Sequence, residues 1–116
     1  MAKNDYHVIA YLILSYLYEC LKNGVKPDVE QINHTAPNIS IPYTYWAYII
    51  RSLYQDGCIE GVALVDVLGG EEKGVKLKPN FNITPKGIAY LDENSSMNKA
   101  KEFVKTAASF LPWFTN

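Results

Sequence analysis

Few residues in this chain have the spacing that catalysis requires. His7 and His34 lie far apart, and neither stands at metal-ligand spacing from a cysteine or beside a nucleophile motif. Cys20 and Cys58 are also distant from each other, each among apolar neighbours, which is the setting of reduced core thiols. Glu71-Glu72 and Asp92-Glu93 are sequence-adjacent acids, whose side chains do not converge as a general acid–base pair must. Gly69-Gly70 lacks the strand, glycine loop and helix that together cradle a phosphate. No catalytic, cofactor-binding or metal-binding residue emerges, so the expectation is a protein that is not an enzyme, with no cofactor and no small-molecule substrate.

The remaining chemistry is that of binding surfaces. Thr44, Tyr48, Arg51 and Gln55 recur at steps of four, three and four, one face of a helix. Arginine and glutamine are the types that read guanine and adenine edges, while threonine and tyrosine reach phosphates. Lys76 and Lys78 alternate outward on a strand that follows, and are also candidate phosphate contacts. Against this stand Glu71 and Glu72 at the adjoining turn, a single arginine on the helix, and a net charge of −1 with pI near 6.1. Nucleic-acid affinity rests largely on cations that displace counterions, and the whole chain has no cationic excess. The compositional oddity is aromatic: nine tyrosines. Tyr11 and Tyr18 lie two turns apart on one helix, and Phe110, Trp113 and Phe114 end the chain. These five are candidate protein-interface residues.

The elements that must position these residues follow from periodicity. Tyr6, Ile9, Ala10, Ile13, Tyr16, Leu17, Cys20 and Leu21 form an apolar stripe on a first helix, which Gly24 and Pro27 end. Asp28 is placed to cap a short second helix, with Gln31 in a capping-box-like position and Val29 and Ile32 inward. After a loop from 35 to 42, a third helix runs from Tyr43 to Asp56 with Trp46, Ile49, Ile50, Leu53 and Tyr54 inward. Gly57 supplies its left-handed stop, and Cys58 closes back on Leu53. A strand over 58–67 and a return strand over 75–83 flank a glycine-rich turn, with Pro79 restricting the second to an edge or a bulge. Thr84-Pro85 opens the next helix as capping hydroxyl and first-position proline. A last helix spans about Met97 to Leu111, with Met97, Ala100, Val104, Ala107 and Leu111 on one stripe.

Three helices followed by a two-stranded hairpin form the winged-helix plan, in which the third helix is the groove reader. The fold class expected is mainly α with a small β-hairpin (α+β): a winged helix-turn-helix domain over 1–94 with an additional C-terminal helix and aromatic tail over 95–116. That addition is expected to pack on the first helix, where Tyr11 and Tyr18 lie, or to pair with a second copy. Its lysines (Lys99, Lys101 and Lys105) give it a basic amphipathic character, but docking outranks membrane binding. No stretch reads as a signal peptide or membrane span, so the expected compartment is the cytoplasm.

Several ordered segments resemble the YjcQ-type family of small proteins from Gram-positive bacteria and their phages or prophages. They are Tyr6-His7-Val8-Ile9 through Tyr16-Leu17-Tyr18-Glu19-Cys20-Leu21-Lys22, Tyr45-Trp46-Ala47-Tyr48-Ile49-Ile50, and Asp56-Gly57-Cys58-Ile59-Glu60-Gly61. Ile83-Thr84-Pro85-Lys86-Gly87-Ile88-Ala89-Tyr90-Leu91 and the run Glu93-Asn94-Ser95-Ser96-Met97 complete the match. The resemblance implies a winged-helix fold and a phage or prophage setting, and it carries over no functional residues. Two roles remain: a protein-interaction module, slightly favoured, and a DNA-binding transcriptional regulator using the third helix and wing on double-stranded DNA.

Overall fold

The computed structural model of the protein describes residues 1–66, 69–70 and 74–106. It contains four α-helices and one antiparallel hairpin: α1 (Tyr6–Asn23), α2 (Tyr43–Gln55), β1 (Ile59–Val65), β2 (Gly74–Ile83), α3 (Pro85–Glu93) and α4 (Ser95–Thr106). The tip of the hairpin, with Glu71, Glu72 and Lys73, lies outside the described residues, as do Phe110, Trp113 and Phe114. No helix of the described residues is long and apolar enough to cross a membrane.

The helix stops follow from their glycines. Gly24 adopts φ 66°, Val25 N–H donates to Cys20 O at 2.9 Å and Gly24 N–H to Leu21 O at 3.3 Å. This pair of bonds is a Schellman cap. The same pair ends α2: Gly57 lies at φ 79°, Cys58 N–H donates to Leu53 O at 2.8 Å and Gly57 N–H to Tyr54 O at 3.0 Å. Thr84 caps α3 as its sequence position implies, its Oγ1 accepting from Gly87 N–H at 3.1 Å while Pro85 occupies the first turn.

The segment between α1 and α2 departs from expectation. The second helix is only a three-residue 3-10 helix, Val29–Gln31, followed by turns. Asp28 does cap it, its Oδ1 accepting from Glu30 N–H at 3.0 Å. Pro37, which lacks an N–H to donate, interrupts any continuation, and the chain instead folds through Asn33 and Ala36 turns. Trp46 Nε1 pins it by donating to Ile32 O at 2.9 Å. Ile32 is buried as expected, but Val29 points outward and is 40% exposed.

α1 is the central element rather than a one-sided helix. Every residue from Val8 to Leu14 is buried, together with Leu17 and Cys20. α4 packs against α1 as α2 does, placing Met97, Ala100 and Val104 in the same core. A helix apolar on all sides is a buried helix, and Tyr11, Leu12 and Leu14 made α1 such a helix. On α2 the buried stripe is Trp46, Ala47, Ile49, Ile50 and Leu53, whereas Tyr54, expected inward, is 37% exposed.

The hairpin pairs Ile59 with Ile83 and Glu60 with Asn82, then resumes with Val62 opposite Leu77. Gly61 therefore faces an arch, Lys78-Pro79-Asn80-Phe81, that bows out of the ladder. Pro79, which has no N–H to give the ladder, sits in this arch. Gly61 lies at φ 77°, and a Cβ there would stand 2.5 Å from Phe81 N.

Candidate functional site

The outward face of α2 presents Thr44, Tyr48 and Gln55 to solvent, with Arg51 half-buried among them. The Arg51 guanidinium lies 5.7 Å from the centre of the Tyr48 ring, within cation–π range. Tyr48 meets Tyr6 of α1 edge-on at 6.4 Å, and Tyr6 meets His7 at 5.2 Å. The face thus runs into an aromatic cluster at the start of α1. Burial pushes the Tyr6 hydroxyl up to about 12, helped by the neighbouring Tyr90 and the Asp56 carboxylate and opposed by a hydrogen bond with Ser52. Asp56 accordingly places a negative charge close to the end of α2. Neutralising about one phosphate with Arg51 gives a salt slope near −1, small beside the many contacts of a strong DNA binder.

The two strand lysines are exposed, but they do different things. Lys76 stands opposite Ala63 in the ladder, one residue beyond the point where α2 and β2 are tied. There the Tyr43 hydroxyl accepts from Val75 N–H at 3.3 Å and donates to Val75 O at 3.4 Å. Lys78 begins the arch and lines a cleft with Lys26 and Val29. The structure therefore gathers Thr44, Tyr48, Arg51 and Gln55 on one face and sends Lys78 to a different one.

Of the aromatic ridge on α1, Tyr11 is a core residue, 7% exposed. Its hydroxyl is pushed up by burial first and then by the Glu102 and Glu19 carboxylates. The expectation of an open interface residue is thereby corrected: Tyr11 is largely enclosed by the domain and only borders the cleft between α1 and α4. Tyr18 is half-buried, with Lys22 Nζ 4.5 Å from its ring centre, and Lys22 also pairs with Glu19 at 3.3 Å. A cleft of about 360 Å³ remains between α1 and α4, where Tyr18 and Lys22 face Lys101 and Lys105. Its three lysines, Lys22, Lys101 and Lys105, face two acids in the same lining, Glu19 and Asp92, and Lys22 is paired with Glu19.

A different surface, not singled out by sequence reasoning, lies where the chain leaves α1. Leu21, Val25 and Val29 are 46%, 58% and 40% exposed. They border two adjoining clefts of about 330 and 270 Å³ between the 24–29 loop and the β2 arch, which share Lys26, Pro27, Pro79 and Phe81. The loop is held rather than loose. The Schellman cap fixes Val25, and the Tyr16 hydroxyl accepts from Asp28 N–H at 2.9 Å. Sequence reasoning placed Leu21 in the core stripe and Val29 inward. The signal against both was the Gly24–Pro27 stop, after which no long element follows to cover that end of α1.

The remaining chemically capable groups are structural. Cys20 and Cys58 are buried free thiols, and burial, with Asp56 second, pushes the Cys58 thiol up. His34 packs against Tyr43 and Trp46, with ring centres 5.4 and 6.2 Å away. Among the described residues no group of three or more histidine, cysteine or acidic side chains is arranged to hold a metal ion.

No curated protein and no solved structure matches the chain. The family model described as YjcQ protein matches residues 11–109, which takes in α1 from Tyr11 onward, the hairpin and both C-terminal helices. The chain belongs to the YjcQ family.

Proposed function

We propose that this YjcQ-family chain is a protein-interaction module built on a winged-helix plan, and that it engages its partner through the cleft between the 24–29 loop and the β2 arch. The plan is supported by the order of helix, short 3-10 helix, helix, hairpin and helix. The observation that carries the reading is the cluster of Leu21, Val25 and Val29, large aliphatic side chains held out to solvent around a rigid concave wall. Burying the exposed half of such a side chain is worth about 1 kcal/mol, so three of them supply a real driving force. Apolar side chains grouped around a cleft are the mark of a docking site, whereas singly scattered ones are ordinary.

A DNA-binding role is the second reading, favoured by Thr44, Tyr48, Arg51 and Gln55 sharing the outward face of the helix that would enter the major groove. One experiment separates the two. A benzophenone photo-cross-linker is placed at the Val25 or Val29 position, with one at the Gln55 position as comparison, and irradiated in the source cell. The interaction reading expects a discrete protein adduct from 25 and 29 and none from 55. Adducts confined to 55, or a salt-sensitive retardation of duplex DNA that Arg51→Ala abolishes, would overturn it in favour of the second reading.

A further inference from the structure

Resting on that reading, we infer that the occupant of the cleft is an extended segment of another protein carrying an aliphatic or aromatic anchor flanked by carboxylates. The charge of the walls argues for this. Lys26 stands on the loop and Lys78 on the arch, facing the same apolar space. The one acid among the described lining residues is Asp28, so two lysines stand against a single carboxylate. A locally cationic cleft in a chain of net charge −1 is a departure from the bulk, and complementary potentials select partners.

The same features argue against other occupants. The floor is Leu77 and Phe81 with Val29 beside them, an apolar surface. It suits an aliphatic or aromatic side chain between the two lysines better than a phosphate backbone, which would use the lysines and leave the floor unfilled. A second copy meeting this face isologously would set one cationic patch against an identical one, which disfavours that occupant. Pro27 and Pro79, one on each wall, have no N–H to add a strand to, so recognition falls to side chains entering the clefts. Space for a few side chains, not for a folded domain, is what about 330 and 270 Å³ provide.

The test uses the full chain and fluorescein-labelled probe peptides read by polarisation. One probe carries leucine and isoleucine flanked by aspartates, a second has the aspartates replaced by lysines, and a third has the aliphatic residues replaced by serine. The acidic aliphatic probe is expected to bind about tenfold or more tighter than either comparison, a difference of about 1.4 kcal/mol. Lys26→Glu with Lys78→Glu is expected to reverse the preference towards the lysine-flanked probe. Misfolding cannot produce that gain. Equal binding of acidic and basic probes, or a double variant that keeps the acidic preference, refutes the inference. So does a dimer that Val25→Asp dissociates, which would make a second copy the occupant. If cross-links at Val25 persist while the acidic probe shows no preference, the interaction reading stands and only the partner chemistry fails. If both vanish, both fail.

Discussion

Replacing Gly61 by alanine, and Gly24 by alanine in parallel, separates two costs that usually arrive together. Both glycines have left-handed backbones, φ 77° and φ 66°. For a residue with a Cβ that conformation costs about 1–2 kcal/mol, offset by about 0.4–1 kcal/mol because alanine restricts the unfolded chain. At Gly24 nothing lies within 4 Å of the added carbon, so the net loss is about 0.5–1 kcal/mol. At Gly61 the added carbon stands 2.5 Å from Phe81 N, 2.6 Å from Phe81 Cα and 2.7 Å from Asn80 C. These are backbone atoms, which cannot swing aside, and the arch must shift at a further cost of about 1–3 kcal/mol. Gly61→Ala is therefore expected to destabilise by about 1.5–4 kcal/mol, against a total of roughly 5–15 kcal/mol for a domain of this size. Urea unfolding followed by tryptophan fluorescence measures both, with Trp46 buried as the reporter. The Gly61 variant should also lose affinity for the acidic probe, since the arch is one wall of the cleft. Equal destabilisation by the two substitutions would refute the reasoning, because it would mean that the close approach of the arch exerts no constraint.

Other outcomes follow from the same geometry. Thr84→Ala removes the acceptor for Gly87 N–H and the donor to Gly57 O, and should cost about 1–2 kcal/mol in the same urea assay, with Thr84→Ser restoring most of it. Met97→Ala empties a fully buried site between α1 and α4 and should cost about 2–5 kcal/mol, read as a lower unfolding midpoint. Alkaline unfolding should depend on Tyr6. Its folded hydroxyl titrates near 12 against 10 unfolded, so the stability it contributes is fully present below pH 10 and is lost as pH rises through 12. Tyr6→Phe should flatten that limb of a stability-versus-pH curve, and an unchanged limb would show that the hydroxyl has the same affinity for its proton in both states.

Where local chemistry decides structure, the chain was readable residue by residue. Gly57 and Cys58 announced the end of α2, Thr84-Pro85 the start of α3, and Pro79 the interruption of β2. Each acts through its own backbone conformation or missing donor. What depended on a distant element was readable only in part. The packing of the C-terminal helix on α1 was legible as one of two alternatives, and α4 does pack there, but periodicity alone did not show that this contact encloses Tyr11 in the core. The last helix, expected from about Met97, begins at Ser95, because Asn94 Oδ1 accepts from Ser96 N–H at 2.9 Å and Met97 N–H at 3.1 Å. The second helix reduces to Val29–Gln31 because Asp28 caps well but nothing beyond it sustains a helix. The cleft was missed for a related reason: its two walls, the 24–29 loop and the 78–81 arch, are far apart in sequence and each looks like an ordinary irregularity.

The covering of α1 by α4 also sets an order of events during synthesis. The helix that becomes the centre of the core leaves the ribosome before the one that packs against it, which is the last of the described elements to be made. Until Met97, Ala100 and Val104 arrive, the ring of Tyr11 and the side chain of Leu14 have no cover. Closing a contact across so much of the chain carries a loop entropy that must be met before any burial is gained. Nascent chains of this protein therefore pass through a stage with one apolar flank open, in which a chaperone or a neighbouring nascent chain competes with the protein's own last helix.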